Sequence, residues 1–208
     1  MVKRLLYIIF ALLGVALAFN ALSYSNFDPT YKFLRLKQTA IETGWYLPAY
    51  YSHVLISAVI LIIGFVQVLK SIRKHWPKIH RYLGMVYIMG ILFFAAPGGF
   101  VMSLFINRGP WVLASFITQC TLWFYFTVVA YQKARSKDFE SHEHWIWRSF
   151  ALTLAAITLR IYIFIFSFST DLSQASGYAL LAWLSWVPNL LIVEAWFYLK
   201  RKSKIQFR

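Results

Sequence analysis

The chain has one cysteine, Cys120, among its 208 residues. No disulfide can close within it, and it has no CxxC or CxxCH motif. Covalent haem attachment, iron–sulfur clusters and structural zinc fingers are therefore excluded. Acidic residues are scarce as well, seven Asp and Glu against 21 Lys and Arg, for a formal net charge of +14. All charged residues together make up 13% of the chain and hydrophobic residues 60%. A soluble domain could not cover that much apolar sequence, so the composition is that of an integral membrane protein. In a soluble protein such a basic excess would suggest nucleic acid. Here the basic residues sit between apolar runs, where they report topology. The expected partner is the lipid bilayer, with no nucleic acid.

Six apolar runs, 5–22, 49–69, 82–106, 111–131, 145–168 and 178–199, can each cross a hydrocarbon core of about 30 Å at about 1.5 Å per residue. The expected fold is all-α, one polytopic membrane domain over 1–208 with six transmembrane helices. With the N-terminus inside, 16 Lys and Arg fall on the inner side. Only Lys32, Arg35, Lys37 and Arg108 fall outside, and Arg160 remains within a run. The positive-inside rule then places both termini in the cytoplasm, with a bacterial cytoplasmic membrane as the expected location. Lys3-Arg4 and Ala16-Leu17-Ala18 also fit a cleavable signal peptide, although the apolar run continues past Ala18.

Residues 23–48 form the one long outer loop. Asp28-Pro29 predicts a helix start, Phe33, Leu36 and Ala40 would share a face, and Gly44 would end the helix. Such a helix would lie on the outer membrane surface or act as a lid. Pro77 suits the first turn of the third helix and puts His80 there, on a face with Gly84 and Tyr87. Pro97-Gly98-Gly99 predicts a kink. Asn107-Arg108-Gly109-Pro110 reads as a tight outer turn, and 111–131 as an uncharged packing helix. Asp138 is an expected N-cap, with Glu140 in the first turn behind it.

Polar residues within the runs form two stripes. His142 and Arg160 are five whole turns apart on one helix, with Ser149 and Thr153 close to the same line. Lipid cannot satisfy such a stripe, so it must face protein or a cavity, and function is expected against it. His53, Ser57, Gly64 and Gln67 form a second stripe, in which Ser57 and Gly64 read readily as helix packing. Glu194 lies at about the depth of Arg148, which predicts an ion pair. A helix, a basic loop and then a histidine recur at His80 and His142, a faint internal repeat.

His80-Arg81-Tyr82-Leu83-Gly84 with Tyr87, His142-x-x-Trp145-x-x-Arg148-Ser149, Arg160, and Trp183-Leu184-Ser185-Trp186-Val187-Pro188-Asn189-Leu190 with Glu194 resemble a family of predicted bacterial and fungal membrane proteins. The family is known only as domain of unknown function 2306. His53 and Gln67 fit its pattern too, and the resemblance covers about residues 45–200. It implies a six- or seven-helix membrane protein and matches His142 rather than His144. It implies no activity, ligand or catalytic residue.

The polar residues support several chemistries. In the first, the protein binds haem b and transfers electrons. His80 and His142 would be axial ligands, Arg81 and Arg148 would meet the propionates, and His53, Gln67 and Arg160 would line an outer cavity for a quinone or other redox partner. Two bis-histidine haems are not expected, because His53 is the only outer histidine. In the second, a metal site draws on His80 and His142, with His75, His144 and Glu194 nearby. The two-residue spacing of 142 and 144 points those side chains apart. In the third, the protein is a small-molecule or proton-coupled transporter using Arg160 and the broken third helix. In the last, it is a cofactor-free structural or assembly protein.

Overall fold

A computed structural model describes residues 2–168 and 175–206. Arg208 of the basic tally lies outside the described residues, as do the side chains of Lys3 and Lys204. The described chain is all-helical without strands, and six of its helical segments are long and apolar enough to cross a membrane. They run Arg4–Asn26, Tyr46–Gln67, Pro77–Leu104, Pro110–Arg135, Phe139–Phe166 and Ser176–Lys202. The expected membrane domain comprises two compact units, Met1–Asn107 and Arg108–Arg208.

In the first unit, α1 (Val2–Leu22) is apolar nearly all round, as a span surrounded by lipid requires. The outer loop departs from the expected amphipathic helix. Asp28 does not open an α-helix. Its carboxylate accepts from the Thr30 amide at 2.8 Å and the Thr30 hydroxyl at 2.7 Å, closing a local turn. A 3-10 segment, Lys32–Lys37, and one α-turn, α2 (Gln38–Ile41), follow. Phe33 and Leu36, expected to share a face of that helix, are exposed. Leu34 is the buried residue, set among Tyr24, Tyr46 and Tyr50. Gly44 ends the segment as expected, at φ +78°.

α3 (Tyr46–Gln67) is the spine of this unit. The Tyr7 hydroxyl of α1 donates to the Phe65 carbonyl at 2.9 Å. After the basic turn α4 (Lys70–His75), Pro77 starts α5 (Pro77–Gly90). The expected kink at Pro97-Gly98-Gly99 takes a different form. Proline has no N–H to give, and the helix adjusts before it through a π turn, Ile91–Ala95, then continues as α6 (Ala96–Leu104). The carbonyls of that turn are tied from α3: Ser52 donates to Phe94 at 3.0 Å, and the His53 Nδ1–H to Ala95 at 2.7 Å. Glycine makes the close approach feasible. A Cβ on Gly98 would lie 2.7 Å from the Ala49 carbonyl and 2.9 Å from the His53 nitrogen.

In the second unit, α7 (Pro110–Arg135) and α8 (Phe139–Phe166) form an antiparallel pair. Asp138 caps α8 as expected, accepting from the Ser141 amide at 3.2 Å, with Glu140 in the first turn. The stripe on α8 faces α7. His142 Nδ1–H donates to the Ala130 carbonyl at 2.8 Å, Ser149 and Thr127 hydroxyls meet at 2.8 Å, and Trp123 Nε1–H donates to Thr153 at 3.2 Å. Ser149 and Thr127 are fully buried. α7, which carries no charge through its apolar run, thus supplies the polar partners of α8. The final span breaks into α9 (Ala175–Leu184) and α10 (Val187–Gln206) ahead of Pro188. Asn189 closes the break, its amide donating to Ala151 O at 3.2 Å, Thr158 Oγ1 at 3.2 Å and Ser185 O at 3.1 Å.

Candidate functional site

Of the residues expected to line an outer cavity, His53 and Gln67 lie far apart on α3 of the first unit, and Arg160 lies in the second. His53 is committed to the π turn. Gln67 lies at the other end of α3, 14 residues or about 21 Å away. Its amide donates to the His80 carbonyl at 3.0 Å. At both ends the second stripe is engaged in helix packing, His53 with the π turn and Gln67 with the start of α5. Arg160 belongs to the second unit. It is exposed, and its guanidinium turns back to the Ala156 carbonyl at 2.9 Å.

The expected ion pair is present. Arg148 forks onto Glu194, with Nε on Oε1 and Nη2 on Oε2 at 2.8 Å. The indole of Trp145 lies under the guanidinium, 4.5 Å from ring centre to Cζ. This pair stands in a cleft of about 490 Å³ between the start of α8 and the end of α10. From α8 the lining includes Glu140, His144 and Arg148, and from α10 Glu194, Phe197 and Arg201. The geometry is what helical periodicity makes of these positions. Residues 144 and 148 are one turn apart, and 194, 197, 198 and 201 follow the i, i+3, i+4, i+7 rule on α10.

His144, rather than the favoured His142, faces this cleft. Two residues on a helix differ by about 200°, so when His142 turns to α7, His144 turns to α10. Its ring packs against Phe197 with centroids 4.1 Å apart. Two cleft residues, Phe197 and Tyr198, were not singled out by the sequence, and Lys200 and Arg201 figured there only in the inner-side charge count. Their signal was the spacing from Glu194, which the interruption at Pro188 obscured.

Electrostatics at the rim is local. Side-chain and backbone hydrogen bonds from Ser141, with help from Lys133, hold the Asp138 carboxyl below the usual carboxylate range. Lys133 Nζ reaches Asp138 Oδ2 at 3.2 Å, and Lys200 Nζ reaches Glu143 Oε1 at 3.4 Å. Once these pairs are made, the Arg148–Glu194 fork is the central charged group of the cleft.

The residues expected to hold haem b fit it only in part. His142 gives its Nδ1–H to a carbonyl, which leaves Nε2 as the atom able to ligate iron. Arg148, expected at a propionate, is taken by Glu194. His80 and Arg81 belong to the first unit, His142 and Arg148 to the second. For a metal ion, no group of three or more His, Cys, Asp or Glu is close enough to hold one among the described residues. His75 Nδ1–H is turned to the Ser71 carbonyl at 3.1 Å.

Six apolar spans, breaks at Pro97 and Pro188, and a charged cleft at one end of the second unit define a polytopic helical membrane protein. The chain belongs to the family described as predicted membrane protein (DUF2306), which matches residues 50–197, more than half of its length. That stretch holds His144, Arg148, Glu194 and Phe197, whereas Lys200 and Arg201 lie beyond it. Neither a curated protein nor a solved structure matches the chain.

Proposed function

We propose that this protein is a carrier that takes a small anionic molecule into the cleft of its second unit from the cytoplasmic side of a bacterial membrane. The observation that carries this reading is the Arg148–Glu194 fork standing in an open space of about 490 Å³. Ligand pockets for small molecules run from about 300 to 1,000 Å³. A guanidinium presents a planar pair of donors that matches a carboxylate or phosphate. Arg201 adds positive charge at the mouth, and Phe197 and Tyr198 supply apolar wall. The excess of Lys and Arg at this end supports the cytoplasmic side. The second unit's last span, broken at Ser185-Trp186 before Pro188, is of the kind that carriers use near their binding sites.

The test is ligand-dependent thermal stability of the purified protein against a panel of small carboxylates and phosphates. At least one should raise the melting temperature of the wild type and leave Arg148→Gln unmoved. A panel that stabilises both proteins equally, or neither, would remove the reading.

One observation favours a second reading, a b-type haem protein passing electrons to a quinone. The His142 Nδ1–H bond to Ala130 fixes the tautomer that a haem ligand uses. An absorption spectrum of protein from haem-replete cells decides it. A Soret band that His142→Ala abolishes would support this reading, and a colourless preparation would end it.

A further inference from the structure

We infer that the cleft exchanges partners on Arg148: the ligand is a monocarboxylate with an apolar or aromatic body, and its binding moves a proton onto Glu194. This rests on the cleft being a ligand site, as proposed above, and adds the ligand class and the coupling.

The Arg148 guanidinium is already occupied. Glu194 is held by Nε and Nη2 of Arg148 in the fork geometry that a ligand carboxylate would need. The side chain of Glu194 is 48% exposed and that of Arg148 21%, so the acid, not the base, is the partner that can leave. The Arg148 side chain is also held from below by the Trp145 ring. A ligand carboxylate arriving from the open side therefore meets a guanidinium backed by Trp145, whose present partner is the more exposed of the two. Phe197 and the His144 ring it packs on supply a flat flank, which suits an aromatic or apolar body next to the carboxylate.

Two carboxylates facing one guanidinium in a confined cleft cannot both stay charged without cost, and a shared proton is the usual resolution. The lysines of the rim are already paired. Lys200 is on Glu143, and Lys133 is on the Asp138 carboxylate, which also accepts from the Ser141 amide. Glu140 adds negative charge at the rim, Arg201 adds positive charge at the mouth, and the His144 ring stands beside the pair. The balance is simple. One ligand anion and one proton enter, the Arg148–Glu194 pair becomes an Arg148–ligand pair, and Glu194 leaves as a neutral acid. No bond is oxidised or reduced, and net charge in the cleft is unchanged. A cleft that loads an anion and a proton together makes loading electroneutral, which suits a site that opens next to a bilayer.

Benzoate, fully ionised between about pH 6 and 8, is the probe. Titration calorimetry in two buffers of different ionisation heat gives both affinity and protons taken up. The wild type should take up one proton per benzoate, with affinity rising about tenfold per unit fall in pH. Glu194→Gln should bind benzoate with no proton uptake and no pH dependence. Arg148→Gln should lose binding by about a hundredfold or more. Binding to the wild type without proton uptake would overturn the exchange and leave the cleft as a ligand site. So would uptake that persists in Glu194→Gln, because the proton would then go to His144 or to the ligand itself. No binding to the wild type, while another anion stabilises it, would overturn the ligand class. No binding of any anion would overturn the exchange and the proposed function together.

Discussion

Thr127 and Ser149 are fully buried, and each hydroxyl has its partner in the other. Inter-helical bonds of this type in membranes are worth about 0.6 kcal/mol on average. A double-mutant cycle of Thr127→Val and Ser149→Ala should therefore return a coupling near that size in a denaturation assay. A coupling of zero would mean that the seam is held by packing alone. Glycine makes a sharper contrast. Gly98→Ala drives a Cβ to 2.7 Å from the Ala49 carbonyl, a backbone atom that cannot step aside, and should cost about 3 kcal/mol. Gly44 has positive φ but open space around it, so Gly44→Asn should be nearly neutral in the same assay. Asp138 adds a pH dependence. Its carboxyl titrates below its ordinary value of 3.8, so the cap is complete above that value and is lost only as the pH falls through the lower folded one. Protection of the Ser141 amide from hydrogen exchange should persist through pH 3.8 and fail only below it. Failure already near pH 5 would contradict the capping geometry.

At the level of elements, the spans, the N-cap at Asp138, proline at the start of α5 and the Arg148–Glu194 pair were all legible in the sequence. Each depends on local spacing or on composition over a whole turn, which a sequence displays directly. The form of the break at Pro97 was not legible. A missing N–H can be absorbed by a kink or by a π turn, and the choice depends on whether a neighbouring helix can hold the loosened carbonyls. His53 and Ser52 do so. The sequence shows His53 as one member of a polar stripe in an apolar run, and a cavity histidine looks the same there. The outer loop misled for a related reason. Asp28 has the chemistry of a helix cap, but it spends its carboxylate on Thr30, and the aromatic cluster around Leu34 decides which side is buried. His53→Ala should lower stability by about 1–3 kcal/mol through the stranded Ala95 carbonyl, with benzoate affinity unchanged. A large fall in affinity with stability intact would return His53 to the functional site.

On the scale of the whole molecule, each unit holds three spans, and in each the third is interrupted at a proline. The stripe expected to carry function on α8 is the side satisfied by α7, and the charged cleft lies on the side facing α10. Hydrophobic periodicity shows that a helix has a polar face, but not whether the neighbour or a ligand answers it. A ligand site is supported where a charged pair remains partly open beside an apolar wall, and Arg148 with Glu194 meets that condition. Photolabelling with a diazirine-bearing benzoate, followed by peptide mapping, tests this most directly. Attachment within residues 138–148 and 194–201, suppressed by excess benzoate and absent in Arg148→Gln, is the predicted result. Attachment confined to the first unit, or labelling that benzoate does not compete away, would contradict it.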